Sequence, residues 1–148
     1  MIRVCAEPFD PEAESAAFRA RVPGSGAVVT FLGQVRGQGS EGEIAAMTLE
    51  HYPGMTEKAL EAIEAEARRR WPLDDVTIIH RHGRLTPGEA IVFVATASPH
   101  RKAAYEASEF LVDWLKTKAP FWKKEEGQFG AKWVDAKSED DDAAARWE

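Results

Sequence analysis

Two apolar segments separated by a short turn sequence constrain the fold more than any other feature of this chain. Residues 75–85 (DVTIIHRHGRL) and 89–98 (EAIVFVATAS) are rich in β-branched residues and lie on either side of Pro87 and Gly88. Proline and glycine suit the central positions of a tight turn. The sequence therefore predicts two consecutive strands joined by that turn.

Three further segments have strand character. The nearly continuous apolar segment Gly26–Val35 predicts a buried strand, and the glycine-rich sequence after it predicts a loop. Residues Ile44–Tyr52 roughly alternate between apolar and polar side chains, as in a half-buried strand. Residues 121–134 (FWKKEEGQFGAKWV) predict a β-hairpin that turns at its glycines.

Two helices are predicted from apolar residues at helical spacing. The first begins near Thr56 as its N-terminal cap and ends at Pro72; the second runs from about Pro99 to Lys118, with Ser98 as its cap. The buried stripes are Leu60, Ile63, Ala67 and Trp71 in the first helix, and Ala104, Ala107, Leu111 and Trp114 in the second.

The order of these elements predicts the fold class. Strands and helices follow one another without regular βαβ alternation, which favours an α+β fold with a largely antiparallel sheet, two main helices and a C-terminal β-hairpin. A chain of 148 residues is long enough for one core. We place a single domain at residues 1–137 and an acidic tail at 138–148, which carries five acids and one arginine, a net −4 of the total −6. We expect a solvated, mobile tail rather than a partner-docking segment.

Composition excludes several classes of function. Only small basic clusters are present, so nucleic acid is not an expected partner. No segment approaches the roughly 20 apolar residues that cross a bilayer, and no signal peptide is evident, so we expect no membrane association and a cytoplasmic location. The single cysteine, Cys5, excludes an intrachain disulfide and a multi-cysteine metal cluster within one chain.

Basic residues in three places are candidates for chemistry. Arg36 lies in the glycine-rich loop, where it either binds an anion or is a solvated loop arginine. His100 and Arg101 begin the second helix, which makes either an anion-binding helix start or an exposed basic turn. The third place combines the end of that helix with the hairpin and holds Lys116, Lys118, Lys123 and Lys124.

The four lysines differ in how easily they are explained. The helix dipole favours Lys116 and Lys118 at the helix end, but it does not explain Lys123 and Lys124. A lysine beside other cations loses its proton more readily and becomes a base or nucleophile. The lysines therefore indicate either an anion pocket or an activated amine.

His80 and His82 alternate along one strand and share a face. Two such histidines can bind a metal, but no third ligand is evident nearby. We therefore favour ordinary strand histidines over a metal site.

Five segments, in order along the chain, resemble the large, catalytic subunit of molybdopterin synthase. They are TFLGQVRG, LEHYPGMTEKAL, VTIIHRHGRLTPGEAIVFV, SPHRKAAYEASEFLVDWLKTKAPFWKKE and WVDAK, and together they extend from about Gly26 to Lys137. The resemblance implies an α/β-hammerhead-like fold. It also implies a sulfurtransferase that converts cyclic pyranopterin monophosphate into molybdopterin during molybdenum cofactor biosynthesis.

The resemblance implies partners as well. The sulfur arrives as a thiocarboxylate on the C-terminal Gly-Gly of a small ubiquitin-like sulfur-carrier subunit, and the chain forms a homodimer within a heterotetramer. No cofactor and no metal are expected. A chain with a single cysteine is consistent with this, because none of its own thiols needs to supply sulfur.

By position in the resembling segments, Lys116 and Lys123 match the family's two catalytic lysines. The matches to substrate-binding residues and their flanking contacts are Gln34, Val35, Arg36, His100, Arg101, Lys124 and Glu125. The chain departs from the family at Lys118, where arginine is expected, and at His82, where an apolar residue is more usual. The alternative to an enzyme is a non-catalytic module whose basic pocket binds a ubiquitin-like protein or an acidic peptide.

The resemblance assigns both ends of the second helix to one substrate pocket, and together with the spacing of these residues it implies a site shared between two copies of the chain. His100 and Lys116 are 16 residues apart, which is about 24 Å along a straight helix. No proline or glycine lies between Arg101 and Lys116 to break that helix. A two-fold dimer can bring one end of this helix to the other end of its partner's helix.

Overall fold

The computed structural model describes residues 1–135 and 137–148, which form ten strands in three sheets and four helices. The strands are β1 (Ile2–Cys5), β2 (Ala27–Gln34), β3 (Gln38–Gly39), β4 (Gly42–Glu43), β5 (Ala46–His51), β6 (Asp75–Arg81), β7 (Gly83–Leu85), β8 (Ala90–Ser98), β9 (Phe121–Gly127) and β10 (Gly130–Val134). The helices are α1 (Pro11–Arg21), α2 (Met55–Arg70), α3 (Arg101–Lys118) and α4 (Ser138–Ala145). These elements confirm the predicted α+β class.

The first sheet has the order β1-β6-β8-β2 and is covered on both faces. All its pairs are antiparallel except β1 with β6. Val92 and Val94 of β8 pack with the apolar residues of α2 and α3, while Phe93 packs with Phe18 of α1. Because both faces of β8 are buried, its sequence is apolar at nearly every position.

The second sheet has the order β10-β9-β5-β7 and is antiparallel throughout, and it includes the predicted C-terminal hairpin. The prediction of one strand over residues 75–85 is wrong, because β6 belongs to the first sheet and β7 to the second. Gly83, with a φ of 95°, begins β7 in a conformation that favours glycine and allows this change of direction. The glycine-rich segment predicted as a loop also contains the short pair β3 and β4.

Both predicted helix caps are wrong by two residues. Thr56 lies inside α2, whose N-cap is Gly54. Ser98 is the last residue of β8, where its hydroxyl donates to the Pro72 carbonyl at 2.8 Å. The N-cap of α3 is His100 instead. In each case the hydroxyl forms a hydrogen bond with a backbone carbonyl outside the first turn of the helix, so a neighbouring residue is the N-cap.

The longest helix of the described residues, α3, connects the two regions of interest. It runs for 18 residues, and its buried stripe includes Ala104, Ala107 and Leu111 as predicted. No helix within residues 1–135 or 137–148 is long and apolar enough to cross a membrane. Because α3 is unbroken, its two ends stay about 24 Å apart.

The acidic C-terminal segment forms α4 and packs on α3. The Trp114 indole donates to the carbonyl of the buried Ala144 at 3.2 Å. The ring of Trp147 meets those of Trp71 and Phe110 edge-on, at centroid distances of 5.6 and 5.7 Å. The prediction of a solvated, mobile tail is therefore wrong, because two apolar side chains among the acids give this segment a face to bury.

Candidate active site

A cluster of cations lies where the end of α3 approaches β9 and the end of β2. We call Arg36, Lys116, Lys123 and Lys137 the lysine cluster. Lys116 is exposed on the last turn of α3, while Lys123 is half-buried in β9. Burial lowers the pKa of Lys123 below its ordinary value; Glu125 opposes this shift, and the charges of the other three cluster members add to it.

The environment of Lys123 combines two chemical properties. A lowered pKa makes its ammonium a better proton donor and its amine easier to generate near neutral pH. The cations around it attract anions into the same space. Glu125 follows two residues later on the same face of β9 and is 5% exposed, so its carboxylate partly balances the cluster. This arrangement is suited to binding an anion and exchanging protons with it.

Lys124 lies on the opposite face of β9. Its ammonium is 5.5 Å from the centroid of the Trp133 ring, a cation–π contact with the neighbouring strand. The alternation of side chains along β9 thus separates Lys124 from Lys123. A substrate contact for Lys124 stays a prediction.

Gln34 and Val35 lie near Arg36 in sequence, but their side chains occupy different surroundings. Gln34 is exposed and lines a cavity of about 350 Å³. Val35 is 4% exposed and packs with apolar residues of β5 and β7, while its backbone N–H donates to the Glu89 carbonyl at 3.0 Å. Val35 thereby anchors the chain immediately before Arg36, and direct contacts of Gln34 or Val35 with a ligand stay predictions.

His100 and Arg101 form a second site at the other end of α3. Both are exposed and, together with Lys102 and Tyr105, line a cavity of about 620 Å³. The first backbone N–H groups of a helix lack intrahelical partners and attract anions. With a guanidinium beside them, they suit a phosphate or carboxylate group. We call this pair the His100–Arg101 cluster.

Gly26 controls how closely β2 approaches this second cluster. A β carbon at Gly26 would lie well inside van der Waals contact of the Pro99 carbonyl oxygen, and a backbone atom cannot rotate away. Gly26→Ala is therefore expected to lower the free energy of unfolding by about 1–3 kcal/mol, as overpacking does. It should also weaken anion binding, because Pro99 directly precedes His100. Denaturant unfolding and turnover assays measure the two effects.

Gly24 offers a matched control two residues earlier. A β carbon there meets open space, so Gly24→Ala should behave like the wild type in both measurements. Equal stability and equal activity of the two variants would show that the contact between Gly26 and Pro99 does not set the position of the second cluster.

The lysine cluster and the His100–Arg101 cluster do not meet within one chain. They occupy opposite ends of the continuous helix α3, about 24 Å apart. The structure thus brings Arg36, Lys116, Lys123 and Glu125 together and leaves His100 and Arg101 at a distance. A ligand of pterin size cannot contact both clusters of a single chain.

The histidines considered as metal ligands pack against aromatic rings. His80 is 5% exposed in β6, and its ring stacks on that of Phe121, with centroids 3.8 Å apart and planes at 17°. The His82 ring lies 4.3 Å from that of His51. Within the part of the chain that the structure describes, no group of three or more His, Cys, Asp or Glu side chains is placed to bind a metal ion.

Sequence reasoning gave no role to Lys137, His51 or Phe121, which the structure places at or beside the lysine cluster. Phe121 and His51 are partners in the register of β5 and β9, and Lys137 follows the hairpin. A predicted hairpin indicates that its two strands are paired, but it does not show which earlier strand lies beside them. The missing signal was therefore the pairing of β5 with β9.

Comparisons with known proteins agree over most of the chain. A family model described as MoaE protein matches residues 4–118. A molybdopterin synthase catalytic subunit of Pseudomonas aeruginosa is 55% identical over 147 residues, covering 99% of this chain and 98% of that protein. The solved structure of a molybdopterin biosynthesis MoaE protein from Burkholderia ambifaria has a TM-score of 0.84 and 57% identity, covering 99% of this chain and 97% of that one. That of molybdopterin synthase from Staphylococcus aureus has a TM-score of 0.81 and 34% identity, covering 90% and 96%.

Proposed function

The chain belongs to the MoaE protein family, and we propose on that premise that it is the catalytic subunit of a molybdopterin synthase. It transfers sulfur from the C-terminal thiocarboxylate of a small ubiquitin-like subunit to cyclic pyranopterin monophosphate. The product carries the dithiolene of molybdopterin, so the protein acts in molybdenum cofactor biosynthesis, in the cytoplasm. The names of the similar proteins support this activity.

The lysine cluster is the observation that carries the proposal. Sulfur transfer from a thiocarboxylate brings two anions together, the thiocarboxylate and the phosphorylated pterin. The exposed ammonium of Lys116 and the half-buried Lys123 attract both anions, although the whole chain has a net charge of −6. We assign Lys116 and Lys123 as the catalytic pair, which stabilises developing negative charge and transfers protons as sulfur adds and oxygen leaves.

Arg36, His100 and Arg101 supply the remaining positive charge for the substrate. A guanidinium binds phosphate through paired N–H donors, and the start of α3 adds backbone donors. Since the two clusters lie at opposite ends of α3, the proposal includes a two-fold dimer within the heterotetramer. In it, the His100–Arg101 cluster of one chain faces the lysine cluster of the other, and each dimer has two equivalent sites.

One reaction tests the activity and separates it from the alternative. The protein is incubated with cyclic pyranopterin monophosphate and the thiocarboxylated partner, and the dithiolene product is detected. A module that only docks a ubiquitin-like protein or an acidic peptide binds the partner and leaves the pterin unchanged. Binding without product formation would therefore overturn the proposed activity in favour of docking.

The partner's extended tail is expected to be essential for turnover but not for most of the docking affinity. The thiocarboxylate must reach Lys123, which is half-buried, whereas the body of the partner contacts the outer surface. Deleting the partner's terminal Gly-Gly should remove activity while binding, measured by calorimetry, remains within about tenfold.

A partner of full length that ends in an ordinary carboxylate is the control. It keeps the tail and its charge but brings no sulfur, so it should bind normally and compete with the thiocarboxylated form. Unchanged turnover after the Gly-Gly deletion would contradict tail insertion.

A further inference from the structure

His80 and Phe121 form a stacked pair next in the fold to residues of the lysine cluster. Their ring centroids are 3.8 Å apart, and their planes are nearly parallel at 17°. His80 lies on the apolar face of β6, while Phe121 is the first residue of β9 and directly follows Ala119 and Pro120, the short connection after α3. The stack therefore joins the first sheet to the connection between α3 and β9.

Hydrogen bonding defines the state of the His80 ring. Its Nδ1 lies 2.8 Å from the Arg81 carbonyl oxygen, which can only accept. Nδ1 therefore carries a proton, and when the ring is neutral Nε2 is its acceptor nitrogen. This bond to the backbone of the same strand sets the ring orientation on which Phe121 stacks.

The second histidine pair completes the layer around the stack. The His51 ring is 4.3 Å from His82 and 6.2 Å from Phe121. His51 Nδ1 lies 3.0 Å from the Thr56 hydroxyl, which itself donates to the Tyr52 carbonyl at 2.8 Å. Because the Thr56 hydroxyl already donates its proton to Tyr52, His51 donates from Nδ1 to the Thr56 oxygen.

The stack includes the first residue of the strand that carries Lys123 and lies within reach of the charge of Lys116. Phe121 precedes Lys123 by two residues, so their side chains leave β9 on one face. Lys116 lies on the last turn of α3, five residues before Phe121, and its charge reaches His80. A shift of the Phe121 ring therefore changes the position of β9 relative to the end of α3.

We propose that the His80–Phe121 stack is a positioning element that sets the separation of Lys116 and Lys123 while the His80 ring is neutral. This inference rests on the proposed function, since it treats those lysines as the reacting pair. Neither His80 nor Phe121 is required to touch the substrate. His82, where the sequence departs from the family pattern, belongs to the same layer, because its ring contacts His51 beside the stack.

The charges around His80 favour the neutral ring. Burial lowers the pKa of His80 to about 4, and the bond to the Arg81 carbonyl opposes this shift. His51 from β5, His82 from beyond the end of β6 and Lys116 from α3 lower the pKa further. Protonation would place a buried cation among these groups and beside Lys116, which is unfavourable. The ring is therefore neutral above a pH of about 4.

Two substitutions of Phe121 distinguish the effect of its aromatic ring from the effect of its apolar volume. Phe121→Leu stays apolar but removes the stack, and kcat is expected to fall about tenfold or more with little change in KM, since small displacements of catalytic groups are costly. Phe121→Tyr keeps the ring and should retain turnover within about twofold. Phe129→Leu removes an aromatic ring at the turn of the same hairpin and should match the wild type.

The dependence on pH provides a readout that simple loss of stability does not move. Removing the Phe121 ring reduces the burial of His80, so its pKa rises toward the ordinary value. Lowering the pH from 7.5 to 5.5 then protonates His80 in Phe121→Leu but not in the wild type or Phe121→Tyr. The Leu variant should lose kcat more steeply over that interval. Imidazole NMR on each protein should show the same order of His80 titration.

The outcomes are distinct. Equal losses of kcat in Phe121→Leu and Phe121→Tyr, or a Leu variant within twofold of wild type, would overturn the positioning role. So would a wild-type His80 that titrates near its ordinary pKa by NMR, a result that needs no variant and no turnover. If the wild type itself forms no dithiolene product, the proposed function fails instead, and the NMR result still reports on the stack.

Discussion

Replacing Lys116 with alanine is expected to reduce turnover by about 10²–10³-fold, the loss typical of removing one group that stabilises transition-state charge. The Lys116 side chain is exposed at the end of α3, so its removal costs little core packing. After burial, its charge contributes to the lowered pKa of both Lys123 and His80. Steady-state formation of dithiolene product measures the effect.

Lys58→Ala is the matched control for this substitution. Lys58 is also an exposed helical lysine, but it lies near the start of α2 and outside both clusters. Both variants should unfold at the wild-type temperature, and only Lys116→Ala should lose activity. Near-normal product formation by Lys116→Ala would show that the catalytic assignment is wrong.

Mixing two inactive variants is expected to restore activity, because each site combines residues from two chains. Arg101→Ala lacks part of one cluster and Lys116→Ala lacks part of the other. A mixed dimer then has one site with wild-type Arg101 and Lys116, and a second site that lacks both. Complete subunit exchange at equal concentrations yields half mixed dimers, so about a quarter of the wild-type activity should return.

A second mixture distinguishes shared sites from general stabilisation by the partner. Arg36 lies in the same lysine cluster as Lys116, within one chain. Arg36→Ala mixed with Lys116→Ala therefore leaves every site with one defect, and activity should stay at the level of the separate variants. Recovery in this mixture, or none in the Arg101 and Lys116 mixture after exchange has been verified by mass spectrometry, would contradict the shared geometry.

The sequence alone determined the elements whose side-chain pattern is local. The stripe Leu60, Ile63 and Ala67 is buried in α2 as predicted, and the pairs Glu64–Arg68 and Glu66–Arg70 bond across one helical turn at 2.8 and 2.7 Å. The apolar segment before Val35 is a strand, and Pro87 and Gly88 form the turn before β8. Periodicity over a few residues carries this information, because a helix or strand repeats its own geometry. The resemblance then assigned roles to the charged residues that match the family's motifs.

Only the tertiary structure decided how these elements combine. The pattern of residues 75–85 predicts one strand, but after Gly83 the chain enters a second sheet. The composition of Ser138–Glu148 predicts a solvated tail, but Trp147 and Ala144 pack on α3 and its neighbours. Burial lowers the pKa of Lys123, and the charge of Arg36, which is 87 residues away in sequence, adds to this shift. Burial and charge depend on distance in space, and folding brings together residues whose separation in sequence shows nothing of that distance. Local pattern therefore determined the elements, while long-range packing determined the site.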